Sequence, residues 1–269
     1  MRVWVSGARG RLGTEVGRQL TAAGHEVLAA DIRGEPSVDL LDPPAVAESM
    51  RGAEAIVHCA GIPGPEGVTP LELVRTNTLT TLNALETAWS GGVPTAVLAS
   101  SGSIYGTAWS PEELSWPALP VDEDSELRYL DPYALTKDFL ERMGAMYARR
   151  GMTVTALRFH WILTPDEVRS LVDAAPIESG RRNLWGYVDL EDAARACLLA
   201  LTPRDRSQRF HTLLIAADDT GVTRPTSDLL DEFYPDAQRR TPFEGSTGLF
   251  DCARAAKVIG WAPRSRWRQ

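Results

Sequence analysis

The chain opens Met1-Arg-Val-Trp-Val-Ser-Gly7-Ala-Arg-Gly10-Arg-Leu-Gly13-Thr14, and the reading of this stretch decides the fold. Val3, Trp4 and Val5 make a short apolar run suited to a buried strand. Leu12, Val16, Leu20 and Ala23 then recur at helical spacing. Between them stand Gly7, Gly10 and Gly13, three residues apart. Strand, glycine turn and helix open a dinucleotide-binding unit. Glycines permit a tight turn and let backbone N–H groups approach a pyrophosphate at the helix N-terminus. The spacing is G-x-x-G-x-x-G, one residue wider than the usual fingerprint, and a glycine triplet by itself also fits a plain turn.

Composition narrows the classes. The chain has 269 residues, 43% of them hydrophobic, enough for one large α/β unit with a small appended lobe. Its net charge of −8 argues against nucleic acid as a partner. No apolar run approaches roughly 18 residues, so no membrane span is expected. The N-terminus enters a strand at once, leaving no room for a signal peptide. Cys59, Cys197 and Cys252 are widely spaced and suit a reducing, cytoplasmic setting. His25, His58, His160 and His211 lack zinc-ligand spacing, so no metal is expected. Arginine supplies nearly every positive charge, and Lys137 and Lys257 are the two lysines.

Along the chain, 25–31 reads as a second strand ending in Asp31, 18 positions after Gly13. An acid there binds ribose hydroxyls and repels a 2′-phosphate, which favours NAD; Arg33 and Arg9 leave NADP open. Strands are expected at 55–58, 94–99, 153–159 and 210–215, and helices at 45–50, 70–89, 132–150, 226–233 and 250–259, with a further helix within 187–201. The Gly/Pro-rich loop 59–67 lies at a strand's C-terminal end, where open α/β sheets bind ligands. Residues 160–187 show little periodicity. The expected architecture is a Rossmann-type doubly wound parallel sheet, 1–160 plus 187–215, with a small substrate lobe, 161–186 plus 216–269.

Tyr133-Ala-Leu-Thr-Lys137 carries the chemistry. On a helix, positions i and i+4 share a face. An ammonium beside a phenol stabilises phenolate and is expected to lower the tyrosine pKa toward working pH, making it a general acid/base. One of the two lysines falls here.

With these residues in view, the chain resembles the short-chain dehydrogenase/reductases. It is most similar to their extended group, the NAD-dependent epimerase/dehydratases, over nearly its whole length. Gly7-x-x-Gly10-x-x-Gly13 looks like the cofactor loop, with Arg11 and Leu12 in it. Asp31 and Ile32 match the adenosine-ribose position, with Arg33 beside them counted among the cofactor residues, and Asp39-Leu40 the adenine edge. Cys59-Ala60-Gly61 resembles an Ala-Ala-Gly loop, Cys59 being a departure. Asn77 matches a supporting asparagine counted with the cofactor residues. Ser100 to Gly106 resembles S-S-x-x-V-Y-G, and Asp131 to Lys137 the P-Y-x-x-S-K helix start. Leu157-Arg158-Phe159 resembles the strand before the nicotinamide contacts, here Phe159 and His160.

The resemblance implies an NAD(P)-dependent enzyme in which Tyr133 is the general acid/base, Ser101 holds the reacting oxygen and Lys137 serves Tyr133 and the nicotinamide ribose. Gly102-Ser103 replace the acidic pair of sugar 4,6-dehydratases, which argues against that activity. The short lobe points to a small substrate without a nucleotide handle, as in sugar and uronate dehydrogenases. A nucleotide-sugar epimerase with tightly held NAD is the alternative, and a non-catalytic NAD(P) sensor a remoter one. Ser101, Ser103, Trp161, Arg181 and Arg182 are candidate substrate contacts. Trp109, Trp116 and Trp185 are placed near the site, with core packing as their other use. Helices 71–89 and 132–149 correspond to the family's four-helix interface, so a homodimer is expected.

Overall fold

In the computed structural model, residues 1–112 and 115–268 are described. Six parallel strands form one sheet: β1 (Arg2–Ser6), β2 (Glu26–Ala30), β3 (Ala55–His58), β4 (Thr95–Ser101), β6 (Thr153–Phe159) and β9 (Phe210–Ile215). Their order is β2-β1-β3-β4-β6-β9. The chain leaves β1 in one direction to reach β2 and returns past it to β3. That reversal opens a crevice outside the carboxyl ends of the strands. No strand flanks β2 on its outer side among the described residues; Val38 and Asp39 carry no regular structure, and Leu40 and Leu41 form a turn before α2.

Helices cover both faces. On one, α1 (Arg11–Ala22), α6 (Leu190–Ala200) and α8 (Ala253–Ile259) pack on Val3, Val5, Val57 and Val97. On the other, α2 (Pro43–Ser49), α3 (Pro70–Ser90) and α4 (Pro132–Arg149) pack on Trp4, Ile56, Ala96 and Leu98. The alternation of the buried strands sends successive side chains to opposite layers. The α3 and α4 starts follow from sequence. Thr69 and Asp131 accept from the N–H groups of Glu72 and Ala134, and Pro70 and Pro132 occupy the first turn.

Short strand pairs and helices complete the chain: β5 (Ala118–Leu119) with β10 (Gln238–Arg239), β7 (Ile162–Leu163) with β8 (Val188–Asp189), α5 (Pro165–Ala174) and α7 (Thr226–Phe233). The core over the sheet's C-terminal edge mixes Leu184, Trp185, Leu229, Leu230 and Phe250 with Ile104, Tyr105, Trp116 and Leu119. The late segments therefore share their core with 104–121, a stretch read from sequence as part of the sheet unit.

Helix α5 was not expected in the aperiodic 160–187 segment. It exists because Thr164 and Glu167 form a reciprocal capping box, with Pro165 in the first turn.

Candidate active site

A cleft of 1520 Å³ runs along the crevice, from the glycine loop to the lobe. Pockets for one drug-sized ligand hold about 300–1,000 Å³, so this one has room for a long ligand and a second, small one.

The glycine loop forms its floor. Gly7 has φ +64°, and a Cβ there would stand 2.8 Å from the Ala60 nitrogen. A Cβ on Gly13 would overlap the Gly7 carbonyl oxygen. The turn thus requires glycine at both places before any ligand is considered. Gly10 precedes α1 and no side chain caps that helix start, nor does an acid lie in its first turn. Its leading N–H groups are therefore oriented for an anion. A pyrophosphate fits this cradle. Arg11, at the same helix start, donates to Glu167 of α5 at 2.9 Å, so an ion pair ties the start of α1 to α5. The Arg11 guanidinium holds the Glu167 carboxyl down at about 2.

Asp31 sits at the rim, 7% exposed. Its Oδ2 accepts from the Arg9 N–H and its Oδ1 from the Arg33 N–H, both at 2.9 Å. Burial works to raise its pKa, but these bonds and the Arg33 guanidinium prevail and lower it. Ile32 is 65% exposed beside it, a flat apolar surface at the position expected to meet the adenosine. Asp39 and Leu40 continue that wall.

Cys59, Ala60 and Gly61 form the wall between floor and far end. A buried hydrogen-bonded chain stands behind them. The Ala60 N–H donates to Ser6 Oγ, and the Ser6 hydroxyl lies 2.7 Å from His58 Nδ1. His58 Nε2 lies 3.1 Å from Thr81 Oγ1, whose hydroxyl donates to the Asn77 carbonyl. Because Thr81 gives its proton to Asn77, His58 donates from Nε2 and accepts at Nδ1. Burial, with help from the Lys137 charge, pushes His58 down to about 3, so it is a neutral relay. Asn77 differs from its sequence assignment: its side chain does not line the cleft. The amide accepts from the Ile62 N–H at 2.7 Å and donates to the Ile62 carbonyl and to Thr136 Oγ1. It pins the wall from behind.

Ser101, Tyr133 and Lys137 come together at the far end. Ser101 ends β4 and caps the single helical turn Gly102–Tyr105 by accepting from the Ser103 N–H at 3.1 Å. Tyr133 and Lys137 project from the first turns of α4, and Lys137 Nζ lies 5.4 Å from the Tyr133 ring centroid. The ammonium donates to the Ala99 carbonyl at 2.8 Å. Burial pushes Lys137 down to about 8. Burial also pushes Tyr133 up, to about 12, with the Ser101 hydroxyl opposing. This corrects the sequence expectation of a lowered tyrosine pKa. Trp109 is one of the groups packed on it: its ring meets Tyr133 edge-on at 4.9 Å, and its N–H donates to Glu66. Desolvation outweighs the Ser101 hydrogen bond, and the Asp131 charge adds to the rise.

The cleft is closed on the lobe side by Phe159, His160, Trp161, Glu178, Arg181, Arg182 and Tyr234, with Ser103 opposite. Trp161 is 50% exposed into it. His160 donates from Nε2 to the Asn183 carbonyl at 3.0 Å and stacks on Phe250; burial pushes it down to about 4, so it is a neutral structural ring. Trp116 and Trp185 are buried in the lobe core and do not line the cleft. Glu66 and Thr107 line it without having been singled out. Among the described residues no cluster of three or more His, Cys, Asp or Glu side chains is placed to hold a metal, and no helix is long and apolar enough to cross a membrane.

The chain is similar to known proteins in sequence and in fold. L-arabinose 1-dehydrogenase (NAD(P)(+)) of Haloferax volcanii is 32% identical over 183 residues, 64% of this chain and 71% of that enzyme. Human sterol-4-alpha-carboxylate 3-dehydrogenase, decarboxylating, is 27% identical over 224 residues, of which the alignment takes in 57% of that enzyme's length. The solved structure of MoeE5 in complex with UDP-glucuronic acid and NAD superposes over 100% of this chain and 95% of that one, with a TM-score of 0.74 and 25% identity. The model of the NAD dependent epimerase/dehydratase family matches residues 3–216, from the strand before the glycine loop to the end of the sheet. With the glycine cradle, the parallel sheet and the Ser-Tyr-Lys cluster all inside that span, the chain belongs to the NAD dependent epimerase/dehydratase family.

Proposed function

We propose that this protein moves hydride between a nicotinamide dinucleotide and a secondary alcohol or carbonyl of a small, sugar-like substrate. The observation that carries the reading is the convergence of Ser101, Tyr133 and Lys137 at one end of a cleft whose other end is an uncapped, glycine-bounded helix start. Gly7, Gly10, Arg11 and Leu12 would hold the pyrophosphate. Asp31, Ile32 and Arg33 would hold the adenosine ribose, Asp39 and Leu40 the adenine, and Cys59, Ala60 and Gly61 the middle. Phe159, His160 and Lys137 would border the nicotinamide end. The bound nicotinamide supplies the hydride acceptor or donor.

The chain supplies position and proton transfer. Ser101 Oγ holds the substrate oxygen against the Tyr133 hydroxyl. With Tyr133 pushed up to about 12 it is a phenol at neutral pH, ready to donate to a carbonyl oxygen. In the oxidative direction it must first lose that proton, so the rate of alcohol oxidation rises with pH. Lys137, fixed on Ala99, is the cation beside the resulting phenolate. Trp109 excludes water from the same point. Arg181 and Arg182 place positive charge on the lobe side, suited to a polyhydroxylated or anionic substrate.

A second reading, a nucleotide-sugar epimerase that keeps its dinucleotide, is supported by the likeness to the UDP-glucuronic acid complex of MoeE5. We also propose a homodimer through α3 and α4, supported by exposed Leu71, Leu79 and Trp89 on α3. Free thiols at Cys59, Cys197 and Cys252 support a reducing, cytoplasmic setting.

The test is formation of NADH from NAD, or of NADPH from NADP, with L-arabinose, other aldoses, uronates and polyols, beside conversion of UDP-sugars without net reduction. NADH accumulating with a free sugar supports the first reading. Epimerised UDP-sugar without NADH supports the second, and neither overturns both. Tyr133→Phe should lower turnover by about 10²–10⁴-fold while leaving dinucleotide affinity within about twofold.

A further inference from the structure

Behind the Ser101–Tyr133–Lys137 cluster lies a charge pair that the proposed chemistry does not use. Arg158 of β6 donates from Nε and Nη2 to Glu141 of α4 at 2.9 and 2.8 Å. Their side chains are 6% and 7% exposed. Arg158 Nη1 donates to the Tyr105 hydroxyl at 2.8 Å and to the Glu123 carbonyl at 3.1 Å. The Ser100 hydroxyl donates to Glu141 Oε1 at 2.7 Å. Arg158 is the strand neighbour of Ser100 in the β4–β6 register, one residue short of Ser101.

A buried pair of this kind is a poor stabiliser. Removing two ions from water offsets most of their attraction, and well-packed apolar replacements are often as stable. What distinguishes this pair is what it touches. Tyr133, Lys137 and Glu141 follow one another every four residues along α4, and each meets the end of β4. Tyr133 meets the Ser101 hydroxyl, Lys137 the Ala99 carbonyl and Glu141 the Ser100 hydroxyl. Arg158 reaches past them to Tyr105, the last residue of the turn that Ser101 caps.

We propose that Glu141 and Arg158 are a positioning pair: through Ser100 and Tyr105 they hold both ends of the turn that presents Ser101, and Glu141 supplies the buried negative charge that keeps Lys137 an ammonium. The proposal rests on the reading of Ser101, Tyr133 and Lys137 as the chemical centre. The groups that face Lys137 bear this out. On α4 they are Tyr133 and Glu141; at the end of β3 they are His58 and Cys59; β4 contributes backbone and serines. Burial pushes Tyr133 up and His58 down, leaving both neutral. Cys59 and then Glu141 act against the burial of Lys137, and Glu141 is the carboxylate of the set. Glu141 in turn faces Arg158, Arg142 and Tyr105.

The full chain makes the test direct, because it has two lysines, Lys137 and Lys257. Protein labelled with carbon-13 at lysine Cε gives two resonances, assigned with Lys257→Arg, and Lys137 is titrated by NMR. Glu141→Gln keeps the side chain's shape and removes its charge, so the Lys137 midpoint falls by about 0.5 unit or more. A smaller fall overturns the electrostatic half of the proposal. If circular dichroism shows that this variant does not fold, Glu141→Gln with Arg158→Met, which leaves no buried charge unpaired, should still lower the Lys137 midpoint, by less because the Arg158 cation goes with the carboxylate, and an unchanged midpoint overturns the electrostatic half. Tyr105→Phe removes one hydroxyl and should speed amide hydrogen exchange across residues 102–106 by about fivefold, the rest of the sheet being unchanged. Unchanged exchange there overturns the tether. Neither readout uses turnover, so these outcomes are separate from the fate of Tyr133→Phe.

Discussion

Replacing His58 with glutamine should change how the protein's stability responds to acid, and the size of that change follows from the structure. His58 is 1% exposed and bonded at both ring nitrogens as a neutral base. Burial pushes it from 6.5 down to about 3. As pH falls below 6.5 the unfolded chain takes up a proton that the folded one refuses. The unfolded state therefore gains, and stability is lost progressively toward pH 3. One pKa unit corresponds to about 1.36 kcal/mol, so the loss from this residue between pH 7 and pH 5 is about 2 kcal/mol. The assay is urea unfolding of wild type and His58→Gln at pH 7, 6 and 5, followed by circular dichroism. Glutamine does not titrate. The free-energy difference between the two proteins should narrow by about 2 kcal/mol over this range, whatever the substitution costs at pH 7. Glu123, Asp131 and Asp219, which burial pushes upward, and His160, which burial pushes downward, are common to both proteins and cancel. A difference constant to within about 0.5 kcal/mol would refute the account of His58 as a neutral buried relay.

Two further outcomes are expected. Asn77→Ala removes the bonds that tie Ile62 to α3 and α4 and should lower unfolding free energy by about 2–3 kcal/mol in urea, at about 1 kcal/mol per buried bond; an unchanged midpoint would count against the pinned wall. Trp109→Ala lets water reach the Tyr133 hydroxyl, so ultraviolet titration should reveal a tyrosine ionising below about 12 that disappears in Trp109→Ala with Tyr133→Phe; a signal that persists in the double variant belongs to another residue.

Local pattern and non-local contact divide what was legible in the sequence. Strands Ala55–His58, Thr153–Phe159 and Phe210–Ile215 sit where their apolar runs place them, and α4 starts at its Asp-Pro cap. The Tyr133–Lys137 spacing was readable because a helix converts four positions into one face. Helix α5 escaped because its signal is a cap, Thr164-Pro165-Asp166-Glu167, and not an apolar period. The elevation of Tyr133 was illegible, since it depends on burial by groups distant in sequence, Trp109 from 24 positions upstream among its neighbours. His58 carries no motif of its own; its task emerges only when Ser6, Thr81 and Asn77 converge on it. Of the tryptophans near the site, Trp109 and Trp161 line the cleft and Trp116 and Trp185 fill the lobe core, a division no spacing encodes.

Asp31 has a consequence for anyone who would retune the coenzyme preference. On the proposed placement of the adenosine ribose beside Asp31, the obvious edit is to remove its carboxylate and so admit a phosphorylated ribose. Yet both oxygens already fasten the backbone of Arg9 and Arg33, which stitches the glycine loop to the end of β2. A change at Asp31 would loosen the loop it was meant to re-aim. The freer handles are the exposed neighbours Ile32 and Arg33, whose side chains can be exchanged without undoing that stitch.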